Sequence, residues 1–306
     1  MRPIFYRTAA AFSLALLTVA LPGRAQNTVP ARPHTLTGDV RTHAKFHSQF
    51  LPTDRDVLVY LPPGYDDPKS ASRRYPVLYL HDGQNVFDSA TSFIPGPDGE
   101  WHADETAERL ITAGVVEPLI IVAVGNAGAE RANEYNLTRD PGFGPTGGGG
   151  KADLYGRLLV EELKPLMDRT YRTKTGPRDT GLGGSSFGGL ATLAIGLDHP
   201  ETFGKLAVVS PSVWWDRLAI VRRVRSVTTH PATRIYLDMG TNEGEGKYAQ
   251  VGVNNARLLC RALVGRGWNE GDDLKYVEAE GAGHNEKAWA ARFPDILAYL
   301  FPAAKK

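Results

Sequence analysis

The chain has 306 residues, 42% hydrophobic and 23% charged, and its 35 basic residues nearly balance 34 acidic ones. That composition excludes a disordered, fibrous or membrane-filling chain, and a net charge of +1 provides no basic field for nucleic acid. The single cysteine, Cys260, excludes an internal disulfide framework and a cysteine-built zinc site.

In chain order, residues 1–25 read as a secretory signal. Arg2 and Arg7 precede an apolar run over 9–21, and Gly23 and Ala25 supply small residues at a cleavage position. The run is shorter than the roughly 20 residues of a spanning helix. The expectation is a secreted or periplasmic protein with no membrane attachment after cleavage. Polar, proline-containing 26–41 reads as a flexible arm. Paired strands are expected at 43–51 and 56–61, the second stopped by Pro62-Pro63-Gly64, then a short buried strand at 77–80. A helix at 103–112 ends before Gly114, and a buried strand follows at 119–124. The glycines 147–150 read as a surface loop within one domain, because strand and helix patterns continue on both sides. An apolar stripe at helical spacing marks 153–167. Strands are then expected at 180–183, 206–209, 234–238 and 274–277, with helices at 187–197 and 286–300. This alternation predicts an α/β fold, a mostly parallel sheet with helices on both faces.

The sharpest chemical signal is Gly184-Ser185-Ser186-Phe187-Gly188, a G-x-S-x-G between a strand and a helix. Such a turn lifts its central side chain to the carboxyl edge of the sheet, beside a helix N-terminus that favours negative charge. The frame makes Ser186 the candidate nucleophile. A serine needs a base, and His284, in a glycine-rich loop after the 274–277 strand, is the candidate. Glu243, in the loop past the 234–238 strand, is the preferred acid. Asp238 is the alternative, and Glu245 and Glu286 are outside candidates. An oxyanion hole would take the Phe187 amide and a second amide from His81-Asp82-Gly83-Gln84-Asn85, with Gly83 letting Gln84 N–H face the site.

These segments resemble the esterase family of the α/β-hydrolases, the branch with enterochelin-esterase-like proteins, esterase D, feruloyl and acetylxylan esterases and the antigen 85 mycolyltransferases. The resemblance rests on 75–85, on 184–189, on Gly240-Thr241-Asn242-Glu243 and on Gly283-His284, and spans about 42–301. It implies a Ser–His–acid hydrolase needing no metal or cofactor, with nucleophile Ser186, base His284 and oxyanion amides Gln84 and Phe187. Family members often have Asp where Glu243 stands, and some siderophore esterases dispense with the acid. The organisation expected is a signal at 1–25, an arm at 26–41 and one esterase domain over 42–306.

Asp82, Asn85, Trp214 and Trp215 are the candidate pocket residues, because each follows a strand at the carboxyl edge. Trp101 and the cluster Arg131, Glu134, Tyr135 and Arg139 lie on the same edge, the cluster read as a loop held by an Arg–Glu pair. Residues 145–152 fail the phosphate-loop pattern, with Pro145 and Ala152 where Gly and Ser or Thr are required. His43 and His47 have zinc-like spacing, but in a strand they lie about 13 Å apart. The reading is therefore an exported serine carboxylic-ester hydrolase for a small-molecule or polysaccharide-linked ester: an acylated or feruloylated carbohydrate, or a siderophore. Acyl transfer to a sugar or lipid, and a catalytically dead carbohydrate- or siderophore-binding module, are the alternatives. Oligomeric state is not legible.

Overall fold

The computed structural model describes residues 32–244 and 247–304. The expected signal peptide at 1–25 and the candidate Glu245 lie outside the described residues. An eight-stranded sheet has the order β1-β2-β4-β3-β7-β8-β9-β10. Its strands are β1 (Asp39–Phe46), β2 (Arg55–Leu61), β3 (Val77–Leu80), β4 (Ile120–Val124), β7 (Thr180–Ser185), β8 (Lys205–Val209), β9 (Arg234–Gly240) and β10 (Leu274–Ala279). The strands from β4 across to β10 are parallel, while β2 runs antiparallel to both β1 and β4. A two-residue ribbon, β5 (Arg139–Asp140) with β6 (Gly148–Gly149), closes the glycine-rich loop back on itself.

The central strands are buried on both faces, which explains their unbroken apolar runs. Leu78, Leu80, Ile121, Ala123 and Val209 face one layer, against α1 (Ala103–Thr112) and α8 (Glu286–Leu300). Val77, Tyr79, Val122, Leu182 and Val208 face the other layer. That layer holds α2 (Arg131–Tyr135), α3 (Ala152–Arg157), α4 (Lys164–Thr170), α5 (Phe187–Asp198), α6 (Trp215–Arg225) and α7 (Lys247–Val264). The helix expected at 153–167 is one helical run through α3 and α4, with a π-helical stretch at Leu158–Leu163 between them.

Two crossover helices, α6 and α7, are not among the elements expected from the sequence. In α7 the buried Val253, Ala256, Leu259, Cys260 and Leu263 fall at helical spacing, so a signal is present there. Strand β1 begins at Asp39, four residues before the expected start. Ahead of it, the His34 ring and the Thr35 amide bond to Asp88, and the Thr37 amide donates to Asp104. Burial pushes the Cys260 thiol up to about 12, so it stays protonated. His43 bonds Tyr171 and His47 bonds Asp54, so the zinc-spaced pair is divided between separate partners. Among the described residues, no helix is long and apolar enough to cross a membrane.

Candidate active site

Ser186 sits between β7 and α5 with φ 60° and ψ −121°, a conformation that non-glycine residues rarely adopt. Its neighbours hold it there. The Ser186 amide donates to Val209 O, and Ser186 O accepts from the amides of Leu190 and Ser212. Gly189 lets α5 descend onto the end of β8, since a Cβ there would lie 2.7 Å from Val209 O. The serine hydroxyl therefore stands at the carboxyl edge, with Ser212 Oγ 3.4 Å away.

Past β10, the loop before α8 brings His284 to the same edge, and His284 Nδ1 lies 2.9 Å from Glu243 Oε2. The ring packs edge-on against Trp289, with centroids 5.0 Å apart. The other carboxylate oxygen, Glu243 Oε1, accepts from the Gly240 amide at 2.6 Å and from the Ser210 hydroxyl. The Ser210 hydroxyl in turn accepts from Trp289 Nε1 at 3.0 Å and Arg292 Nη2 at 2.8 Å. Asp238 belongs to a different arrangement. Its carboxylate is fully buried, takes Arg292 Nε at 2.7 Å and the Ser210 amide at 2.9 Å, and has no contact with His284. Glu286 accepts from Asn85 Nδ2 instead. Of the described acids considered, Glu243 alone bonds the histidine.

On the opposite side of Ser186, Asp82 ends the β3 loop in left-handed backbone (φ 57°). A Cβ on Gly83 would meet the backbone of Ala123 and Val124 at 2.7 Å, so only glycine can turn here across the end of β4. The Gln84 and Phe187 amides have no acceptor among the described residues. Asp82 takes Arg131 in two bonds of 2.6 and 2.7 Å and Asn126 Nδ2 at 2.7 Å. Burial raises the Asp82 pKa, but the facing Arg131 and the bonded Asn126 outweigh it and hold the carboxyl below its usual range. Beneath the loop, burial drives the His81 ring down to about 4, so it is neutral.

Ser186 and His284 line two adjoining cavities. The larger, about 810 Å³, includes Asp82, Asn85, Phe93, Ile94, Trp101 and Arg131. The smaller, about 500 Å³, includes Trp214, Met239 and Val251. Three of the four expected pocket residues thus line a cavity, and Trp215 requires correction. It is fully buried, bonds Thr138 O through Nε1 and packs beneath Phe143 and Phe187. Trp214 stands just before α6 and is exposed, whereas Trp215 opens the helix and is in the core. The expected Arg–Glu pair within 131–139 is also different: Glu134 pairs with Arg55 from β2, while Arg131 serves Asp82. Ser210, Ser212 and Arg292 join the site without being expected there. The serines carry a positional signal, since they follow β8, and Arg292 carries none.

The family model described as Putative esterase matches residues 48–300. The chain is 30% identical over 285 residues to the endo-1,4-beta-xylanase/feruloyl esterase of Xylanibacter ruminicola, covering 92% of this chain and 34% of that protein. It is 27% identical over 227 residues to the ferri-bacillibactin esterase BesA of Bacillus subtilis, covering 69% of this chain and 73% of that one. The solved structure of the BES protein from Bacillus cereus superposes with a TM-score of 0.66 at 22% identity, over 90% of this chain and 99% of its own.

Proposed function

Because the chain belongs to this esterase family, and is a carboxylic ester hydrolase of the α/β-hydrolase fold, we propose that it is an exported enzyme working through Ser186, His284 and Glu243. The observation that carries this reading is the strained Ser186 turn opening on the same two cavities as the Glu243-bound His284.

Ser186 Oγ attacks the ester carbonyl carbon as His284 Nε2 takes the hydroxyl proton. Glu243 accepts from Nδ1–H, keeps the ring in the tautomer that leaves Nε2 basic, and stabilises the imidazolium. The Gln84 and Phe187 amides receive the oxyanion. Collapse expels the alcohol, which leaves with the proton from His284. Water then attacks the acyl-enzyme by the same route, releasing the acid and restoring Ser186. The chain itself supplies every proton carrier in this cycle.

The substrate is a feruloylated or otherwise acylated carbohydrate, or a siderophore ester. The larger cavity falls within the range of small-molecule sites. Its aromatic and apolar rim at Phe93, Ile94 and Trp101, beside the cation of Arg131, suits an aromatic group with polar substituents. The two curated relatives are named for esters of that kind. Export rests on the residue 1–25 pattern. A fluorophosphonate probe with intact-mass readout tests the nucleophile: wild type gains one adduct and Ser186→Ala gains none. Labelling of Ser186→Ala, or wild-type turnover of an aryl acetate by it, refutes the mechanism. A panel of feruloyl, acetyl and catecholate-siderophore esters then ranks the substrates.

A further inference from the structure

The loop that leaves the oxyanion turn ends at α1, where four side chains converge away from Ser186. His102 precedes the helix in left-handed backbone, φ 48°. Its Nε2 lies 2.8 Å from the Pro97 carbonyl oxygen. A carbonyl only accepts, so Nε2 carries a proton, and a ring holding that proton alone presents the Nδ1 lone pair on its other side. That lone pair faces Glu100 Oε1 and Glu105 Oε1, each at 3.5 Å. Of these three atoms, Glu100 Oε1 also accepts from Thr35 Oγ1 at 2.7 Å, and the lone pairs facing one another have no donor of their own.

The carboxylates repeat the pattern. Glu100 and Asp104 are both fully buried. Among the described residues, Glu100 Oε2 is buried without a partner, while Asp104 Oδ1 and Glu105 Oε2 have no donor beyond the proton that the two neighbouring carboxyls share. Leaving such groups unmatched costs on the order of 1–3 kcal/mol each, more when they are charged. A cation among them removes that cost. One donor atom from each of Glu100, His102 and Glu105 falls within 4.8 Å of the others. Tetrahedral zinc with ordinary Zn–N and Zn–O bonds separates its ligands by about 3.3 Å, close to the two 3.5 Å separations between His102 and the glutamates. The bond from the far ring nitrogen to a backbone carbonyl is the usual support of a metal-bound histidine.

We propose that Glu100, His102 and Glu105 form a binding site for a divalent transition metal of the zinc type, with Asp104 beside it. One imidazole nitrogen with carboxylate oxygens favours such an ion over calcium, which prefers oxygen alone. The site is structural in placement. Thr35 Oγ1 donates to Glu100 at 2.7 Å and the Thr37 amide to Asp104 at 2.6 Å, so the ion fastens the segment ahead of β1 to the body. Trp101, between two of these residues, walls the larger cavity, so the same ion steadies that wall.

The full chain, made without a polyhistidine tag and stripped with EDTA, is titrated with ZnCl₂ by calorimetry and assayed for bound metal after dialysis. The expected result is one equivalent bound by wild type, with affinity lowered about tenfold or more in both His102→Ala and Glu105→Gln. Glu105 is partly exposed and its amide is isosteric, so cooperative unfolding of that variant separates lost binding from lost fold. Absence of saturable one-equivalent uptake by wild type overturns the proposal. Uptake unchanged in both variants overturns it as well, and leaves a proton shared among the carboxylates as the occupant. Neither readout depends on esterase activity.

Discussion

Replacing Glu243 by Gln tests whether the acid works by fixing the histidine tautomer, because the surrounding donors dictate how the amide must lie. Oε1 accepts from the Gly240 amide and the Ser210 hydroxyl, so the oxygen of the substituted side chain must take that position. The NH₂ then points at His284 Nδ1, where Oε2 stood at 2.9 Å. An NH₂ donates, so Nδ1 becomes the acceptor and Nε2 carries the proton, which disables the base. Flipping the amide would set NH₂ against two donors. At about 1–2 kcal/mol for each lost bond, the flip costs about 2–4 kcal/mol, and the productive orientation falls about 30- to 1000-fold. Loss of the charge that stabilises the imidazolium adds to this, for a total fall in kcat/KM of about 10³–10⁴-fold. The assay is initial-rate hydrolysis of an aryl ester, with proton NMR following the low-field Nδ1–H resonance, which should disappear. A Glu243→Gln enzyme keeping more than a tenth of wild-type kcat/KM, or keeping that resonance, refutes the reasoning.

Asp238→Asn should act on stability instead: it strips the buried partner of Arg292, costs about 3 kcal/mol in urea unfolding and retains more turnover than Glu243→Gln. Native stability with equal loss of turnover would reassign the acid. Gly189→Ala puts a methyl 2.7 Å from Val209 O, a backbone atom that cannot give way. The clash should outweigh the better helix propensity and lower stability by about 1–3 kcal/mol, and an unchanged urea midpoint would contradict it. His81 titrates near 4 in the fold, below the 6.5 of an unperturbed histidine. The unfolded chain therefore binds the extra proton first, so His81's contribution is complete above about pH 6.5 and is lost as pH falls toward 4, by at most about 3 kcal/mol. His81→Gln should flatten stability against pH over that window relative to wild type, and parallel curves would exclude the effect.

The order of strands and the three chemical loops are legible because each has a local cause. The turn at 184–188 needs its glycines, His284 and Glu243 each follow an apolar strand, and the bounds of β3, α1 and α8 match the sequence pattern at both ends. Local pattern is weaker elsewhere. The apolar stripe of α7 is spread among polar residues and does not stand out, and α6 is equally hidden.

What tertiary structure alone decided is which side chain meets which. Position favours Glu243, in the loop past the strand, over Asp238, inside it, but position alone does not say which carboxylate meets the histidine. Arg292, 54 positions after Asp238, binds that acid directly and reaches Glu243 Oε1 only at 3.7 Å, while Glu243 Oε2 bonds the histidine. Arg131 likewise reaches back 49 positions to Asp82 rather than to its neighbour Glu134. Periodicity and turn chemistry act over a few residues, so the sequence by itself determined the elements and the loops that carry chemistry. Charge pairing acts across the packed interior, where burial makes an unmatched ion costly, and only the assembled sheet settles which partners lie within reach.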